Sequence, residues 1–326
     1  MGLSDEKILV TGPAGTIARP LCEYLAADNE VWGIARFSEP GSRELVEAAG
    51  VTTRKCDLAD GNYRDLPDDF TIVLHLATFL GPGWDFDYAL QVNAEGTGLL
   101  LQHCRRAKAA LVMSTTGVYR PHDDPWHPYL ETDPLGSAAL PHSPTYPVSK
   151  NAEEAVARYC ARAFDLPVVI ARMNAAYGAN GGLPAFQLDW MVAGRPVAVR
   201  WDPCPYSPIA QDDINAQVDA VVGAASVPAR ILNWGGDEAV SPQEWCPYLA
   251  ELAGVEARFV LQEIPGSQRG VVLDVTRRLA VTGPCSVSWR EGMRAMLEAR
   301  YPDGVTPGRP LDGRALRLLE SSAETA

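Results

Sequence analysis

Tyr146 and Lys150 lie four residues apart, so on a helix they share one face. A free tyrosine releases its proton only near pH 10 and is a poor base at neutrality. A lysine ammonium beside it stabilises the phenolate. The phenol could then exchange a proton with the oxygen of an alcohol or carbonyl. Pro147 suits the first turn of a helix, where its missing N–H costs little. Tyr146 is therefore expected at a helix mouth, facing a cleft. Upstream, Val112-Met113-Ser114-Thr115-Thr116 offers three hydroxyls at the end of an apolar run. Such a hydroxyl can bind the reacting oxygen and orient it.

A Tyr-x-x-x-Lys pair alone is common by chance, but a second motif gives it meaning. Thr11-Gly12-Pro13-Ala14-Gly15-Thr16-Ile17-Ala18 follows directly on Ile8-Leu9-Val10. A strand running into a glycine turn is where a dinucleotide-binding fold starts. Gly12 permits the tight turn, Gly15 lets backbone approach a pyrophosphate, and Ala18 takes the third small position. The pyrophosphate would lie on the helix N-terminus, along Ala14, Thr16 and Ile17. At the end of the second apolar run, where an acid would bind the ribose 2′-hydroxyl of NAD, stands Arg36, followed by Ser38 and Arg43. A cation there suits a 2′-phosphate, so NADP is favoured, with NAD the alternative. Asp57 and Leu58 close the third run and are expected at the adenine edge. Together the two motifs point to hydride chemistry with a nicotinamide cofactor.

The elements that must position these groups are legible as alternating patterns. Strands are expected over residues 7–11, 30–36, 52–57, 72–77, 110–114, 168–173 and 231–234. Helices are expected over 17–27, 42–49, 88–107 and 146–164. This alternation, with nearly continuous apolar strands, predicts an α/β protein: a doubly wound parallel sheet covered on both faces. Residues 120–145 and 178–212 break the beat with Pro, His, Trp and Tyr. Both follow expected strand ends, where open α/β sheets place ligands. Residues 1–177, completed by about 206–236, should form the dinucleotide-binding domain. Residues 178–205 and 237–305 should form a smaller C-terminal substrate-binding lobe, with 306–326 a tail.

The chain of 326 residues is 47% hydrophobic and 21% charged, with a formal net charge of −13. That balance argues for a globular protein and against nucleic acid or an anionic membrane as partner. The seven cysteines are odd in number and contain no Cys-x-x-Cys, which suits reduced thiols in a cytoplasmic protein. Cys56 and Cys160 lie in apolar segments and are expected to pack. No apolar run approaches the length of a membrane span, and no His-Glu-x-x-His or similar cluster calls for a metal.

On these residues the chain resembles the extended short-chain dehydrogenase/reductase family, often labelled NAD-dependent epimerase/dehydratase, over roughly residues 7–300. His75-Leu76-Ala77 is similar to that family's fourth-strand ending, with Thr78 next to it. Asn93-Ala94-Glu95-Gly96-Thr97 is similar to its Asn-x-x-Gly-Thr helix motif, and Ser114-Thr115 through Val118-Tyr119 to its hydroxyl strand. Arg172-Met173-Asn174-Ala175-Ala176-Tyr177-Gly178 is similar to the segment after its sixth strand. The resemblance implies a Rossmann-like fold and a triad of Thr115, Tyr146 and Lys150, with Lys150 also binding ribose. It implies cofactor contacts from Leu76, Ala77, Thr78, Asn93, Met173 and Asn174. It also implies a homodimer built on the helices near 93–107 and 146–164.

Departures from the family narrow the chemistry. Its sugar-nucleotide dehydratases carry Asp-Glu after the catalytic Thr; here Thr116-Gly117 stands there, against dehydration. Many nucleotide-sugar members place an arginine about seven residues before an Asp like Asp213. Residues 205–213, Pro-Tyr-Ser-Pro-Ile-Ala-Gln-Asp-Asp, contain none, although Arg195 or Arg200 could substitute. The Val-x-Gly-Ile-x-Arg strand is similar to that of GDP-mannose dehydratases, which use NADP. Thr116, Trp84, Trp126, Tyr177, Trp190 and Tyr206 are assigned to the substrate side, where aromatic groups would suit a compact, partly apolar small molecule. His127 and His142 flank the catalytic loop and are expected to be solvated. The leading expectation is a dehydrogenase or ketoreductase on a non-nucleotide substrate. The alternatives are an epimerase with transient oxidation of a sugar-like substrate and a non-catalytic NADP-binding sensor.

Overall fold

The computed structural model describes residues 3–311 apart from Pro82, Ser137 and Pro141. The sheet begins with β1 (Lys7–Thr11), and α1 (Ala18–Leu25) returns the chain to β2 (Glu30–Ala35). Then α2 (Ser42–Ala48), β3 (Thr52–Lys55) and β4 (Ile72–His75) follow. The next helical stretch is not one helix. It runs as α3 (Phe86–Leu90), a π-turn (Gln91–Glu95) and α4 (Gly96–His103). The sequence pattern, which predicts one helix over 88–107, carries no sign of the wider turn. Such π-turns often sit at functional sites, and Asn93 lies inside this one.

β5 (Ala109–Thr115) ends on the hydroxyl strand, and the short β6 (Pro128–Tyr129) lies in the long connection that follows. α5 (Tyr146–Ala163) opens with Tyr146 and has Pro147 in its first turn, and β7 is Val168–Met173. Beyond it come β8 (Ala176–Gly178), β9 (Gly181–Gly182), α6 (Leu183–Val192), β10 (Val197–Val199) and β11 (Ile209–Ala210). α7 (Gln211–Gly223) leads to β12 (Arg230–Trp234). The described chain finishes with α8 (Pro242–Ala253), β13 (Phe259–Leu261), β14 (Val272–Leu273), α9 (Thr276–Thr282) and α10 (Trp289–Arg300).

Seven strands form one parallel sheet in the order β12-β7-β5-β4-β1-β2-β3. Side chains alternate between two cores, as the strand period of two requires. Ile8 and Val10 join a core with Leu21 of α1 and Ile214 and Val218 of α7. Leu9 points into another with Leu100 and Leu101 of α4 and Ala157 and Ala161 of α5. Because both faces are covered, the strands read as apolar runs rather than alternating ones. The order reverses between β1 and β4, and that switch point is where such sheets hold ligands.

A third core joins α6, α8 and α10 with β10 and β13 into the smaller lobe. The division expected at residue 237 is interrupted, because α9 packs against α7 and β12 of the larger unit. Of the tail, residues 312–326 lie outside the described residues.

Candidate active site

A cleft of about 600 Å³ opens at the switch point. Gly12, Ala14, Gly15, Thr16, Ile17, Arg36, Ser38, Asp57, Leu58, Leu76, Ala77 and Thr78 all line it. The glycine turn is shaped for close approach. Gly12 has φ +65°, and a Cβ there would meet Ala77 Cα at 3.0 Å. A side chain would therefore be strained and crowded at once. Thr11 Oγ1 accepts hydrogen bonds from the N–H groups of Leu76 (3.0 Å) and Ala77 (2.9 Å), which ties the ends of β1 and β4 together. The first turn of α1 follows this tie, so its N–H groups and dipole favour an anion in the cleft. With Arg36 and Ser38 beyond the end of β2, the donor set fits a dinucleotide. Arg36 Nη1 donates to the Tyr88 hydroxyl at 3.2 Å, which steadies the guanidinium at the cleft edge.

Several residues of the cleft carry no sequence signal. Phe79, Tyr88 and Met113 line it. Asn180, far along the chain, donates its amide to the carbonyls of Gly15 (3.2 Å) and Thr16 (2.9 Å) and so clamps the glycine turn. No spacing rule links residue 180 to residue 15; only the folded chain brings them together.

Three of the expected cofactor contacts are already engaged inside the protein. Asn93, 2% exposed, accepts from Phe79 N (2.6 Å) and donates to Phe79 O (3.1 Å) and Ser149 Oγ (2.9 Å). It holds the cleft wall in place from behind. Asn174 donates to Val271 O (2.8 Å) and accepts from the N–H groups of Ala175 and Ser207. Its amide thus links β7 to the chain before β14. Met173 is buried in the core under the sheet. Packing has buried Met173, and main-chain and side-chain partners inside the protein already engage the amides of Asn93 and Asn174.

Thr115, Tyr146 and Lys150 are brought together at the end of β5. The Thr115 hydroxyl accepts from Gly117 N at 3.1 Å and lies near enough to the Tyr146 phenol to favour its phenolate. Burial raises the Tyr146 pKa above its usual 10, while the Lys150 charge and the Thr115 hydrogen bond pull it down. Lys150, 1% exposed, donates to Met113 O at 2.7 Å. That bond fixes the ammonium on the strand whose end carries Thr115. It is also ion-paired with Glu153, three residues further along α5. Nothing in the spacing of the motif marks Glu153.

A second buried pair braces the same corner. Arg172 on β7 makes a two-pronged contact with Glu154, through Nε at 2.9 Å and Nη2 at 2.7 Å, and Ser114 Oγ donates to Glu154 at 2.6 Å. Strands β5 and β7 and helix α5 are thereby locked where the triad must be held.

On the substrate side, Thr116 is buried and its carbonyl accepts from Gln268 Nε2 at 2.9 Å. Ala139 N donates to Gly266 O at 2.8 Å, and Trp201 Nε1 to Ser267 Oγ at 2.9 Å. Segment 264–270 therefore stands over the loop that follows β5. Tyr206 is half-buried beside Trp245, with ring centres 5.8 Å apart. Trp126 and Trp84 are exposed on loops. Trp190 needs correction: it is 4% exposed within the lobe's core. Tyr177 likewise packs there, its hydroxyl against Gly292 of α10. An aromatic in an irregular-looking segment reads as a pocket residue until a helix such as α6 turns it inward. His127 hydrogen-bonds Asp133 at 2.7 Å and stacks on His122. His142 is half-buried rather than fully solvated, and burial, helped by the Arg200 charge, pushes its pKa down to about 4. Cys160 is buried as expected, and Cys56 is partly so.

Among the described residues, no helix is long and apolar enough to cross a membrane, and no group of three or more His, Cys, Asp or Glu is gathered as a metal would need.

Comparison with known proteins agrees with this geometry. A curated relative, an uncharacterized UDP-glucose epimerase, YtcB, of Bacillus subtilis (strain 168), is 29% identical over 188 residues, covering 53% of this chain and 57% of that protein. The matched stretch thus spans little more than half of the relative's length. The solved structure of MoeE5 with UDP-glucose and NAD is similar at TM-score 0.76 and 25% identity, covering 91% of this chain and 99% of that one. The UDP-glucuronic acid 4-epimerase of Bacillus cereus, solved with UDP-glucuronic acid and NAD, shares the fold at TM-score 0.77 and 23% identity, covering 90% and 99%. The model of the NAD dependent epimerase/dehydratase family matches residues 8–193, more than half of the chain. From the glycine turn to the helix that carries Tyr146 and Lys150, this chain belongs to the NAD dependent epimerase/dehydratase family.

Proposed function

We propose that this chain is an epimerase that transiently oxidises a carbinol of a sugar or sugar-like substrate and keeps its dinucleotide bound throughout. The observation that carries the reading is the meeting of Thr115, Tyr146 and Lys150 at the end of β5, beside the switch-point cleft. The dinucleotide, when bound, supplies the hydride acceptor and donor. Thr115 orients the substrate hydroxyl and Tyr146 takes its proton as hydride leaves the carbon. Once the resulting ketone has turned over or been inverted at its neighbour, Tyr146 returns the proton. Lys150 lowers the cost of the phenolate. The description of the curated relative as a UDP-glucose epimerase supports epimerisation over the net oxidoreductase favoured from the sequence. For the cofactor, the relatives' structures hold NAD. Arg36 and Ser38 at the cleft edge support NADP for this chain, with NAD the alternative.

A second reading is a net dehydrogenase or ketoreductase on a non-nucleotide small molecule. The specific observation favouring it is that residues 205–213 hold no arginine and that Tyr206 lies among them. A panel of UDP-glucose, UDP-glucuronic acid and non-nucleotide sugars and ketones separates the two. Appearance of an epimer without accumulation of reduced cofactor supports the first reading. Stoichiometric consumption of NADPH by a ketone overturns it. With the active substrate, Tyr146→Phe should lower turnover by about 10³-fold while dinucleotide binding persists. Lost binding would sink the role given to Tyr146. The free cysteines support a reducing, cytoplasmic setting, and a homodimer through α4 and α5 completes the proposal.

A further inference from the structure

Tyr146, Lys150 and Glu153 stand at positions i, i+4 and i+7 of α5 and so form one stripe along the helix. Lys150 is the middle member. Side chains on a helix lean toward its N-terminus, so Lys150 reaches toward Tyr146 and Glu153 reaches toward Lys150. The Glu153 carboxylate ion-pairs with the ammonium, and both side chains are 1% exposed. Its other oxygen lies 3.6 Å from His75 Nε2 on β4. That nitrogen is engaged elsewhere. Thr97 donates its hydroxyl hydrogen to Asn93 O at 2.6 Å, so its oxygen accepts from His75 Nε2, 2.7 Å away. Thr11, whose oxygen accepts from two N–H groups, gives its own hydrogen to His75 Nδ1 at 2.9 Å. His75 is thus neutral, as its pKa, pushed down to about 3 by burial and then by Lys150, requires. The buried oxygen Oε1 of Glu153 is left without a hydrogen bond. A buried carboxylate so poorly satisfied is costly, and its position on the catalytic stripe asks for a reason.

We propose that Glu153 is a positioning residue of the candidate site: its carboxylate, buried between Lys150 and His75, takes up the lysine's charge and so weakens that ammonium's pull on the Tyr146 phenol. The groups facing Glu153 are Lys150, Glu154 and Tyr146 on its own helix and His75 on β4, with Thr97 of α4 beyond. Glu154 is neutralised by Arg172, and His75 carries no charge. Lys150 is therefore the cation that Glu153 answers. Burial, opposed by the Lys150 charge, moves the Glu153 pKa up to about 7. Below that pH the acid is protonated and Lys150 acts on Tyr146 unopposed; above it, the carboxylate cancels part of that action. Tyr146 thus meets a cation whose strength changes across neutrality.

The inference rests on Tyr146 being the proton carrier, but its test reads the phenol without turnover. Protein labelled with ¹³Cζ-tyrosine is titrated, and the Tyr146 resonance is identified by its loss in Tyr146→Phe. In Glu153→Gln the Tyr146 midpoint should fall by about one pH unit, the scale of removing one nearby like charge. Glu153→Asp should stay near the wild type. An unchanged or raised midpoint in a folded Glu153→Gln protein overturns the proposal. If that variant does not fold, the wild-type Tyr146 resonance decides: it should show a small second inflection near neutral pH, and its absence overturns the proposal. A failed epimerase assay would leave this result untouched.

Discussion

In the proposed reaction Tyr146 moves a proton from a place where burial raises its hold on that proton, and two neighbours oppose the rise: Lys150 and Thr115. This residue-scale balance was legible in the sequence as far as types and spacing go, because a helix fixes which residues share a face. The carboxylate of Glu153 was not, since three residues of spacing after a lysine describes many harmless surface pairs. Only its burial distinguishes it. Arg36 is the residue on which cofactor choice should turn. Its exposed guanidinium sits at the end of β2 on the cleft edge, held by Tyr88. Arg36→Ala should weaken NADP binding by about tenfold or more and leave NAD within a few-fold, the loss expected for one charge-assisted contact to phosphate. Equal effects on both dinucleotides, read by fluorescence titration, would remove the 2′-phosphate from the account.

At the scale of elements, the seven sheet strands were read to within two residues, β3 and β4 ending two residues early, because a parallel sheet buried on both faces demands continuous apolar runs. β1 and β7 match their expected bounds. The helix around Asn93 did not, because hydrophobic period does not report a π-turn inserted between two ordinary helical pieces. Nor does sequence reveal how the corner beneath the triad is tied. Arg172, Glu154 and Ser114 bind β7, α5 and β5 into one unit. Breaking one member of a buried pair leaves the other uncompensated, at about 3–5 kcal/mol. Glu154→Gln should therefore lower unfolding stability by about 3 kcal/mol in urea titrations. A loss under 1 kcal/mol would mean that the pair does not brace the corner.

At the scale of the molecule, the Rossmann-like half was legible and the smaller lobe much less so. The lobe's short strands and wrapped helices have no repeating period, and Trp190 shows how an inward-facing aromatic can pass for a pocket residue. The packed helices α4 and α5 leave Leu99 and Tyr159 exposed, at 42% and 68%. Joint replacement, Leu99→Asp with Tyr159→Asp, should convert a dimer to a monomer in sedimentation equilibrium; a wild type already monomeric at micromolar concentration would contradict the homodimer. The proposed epimerase requires retention of the dinucleotide by the protein while hydride leaves and returns. It is tested most directly by denaturing protein purified without added nucleotide and quantifying what is released. About one NADP or NAD per chain is expected. A protein that emerges empty and then binds NADPH reversibly would contradict the epimerase and turn the search to carbonyl substrates.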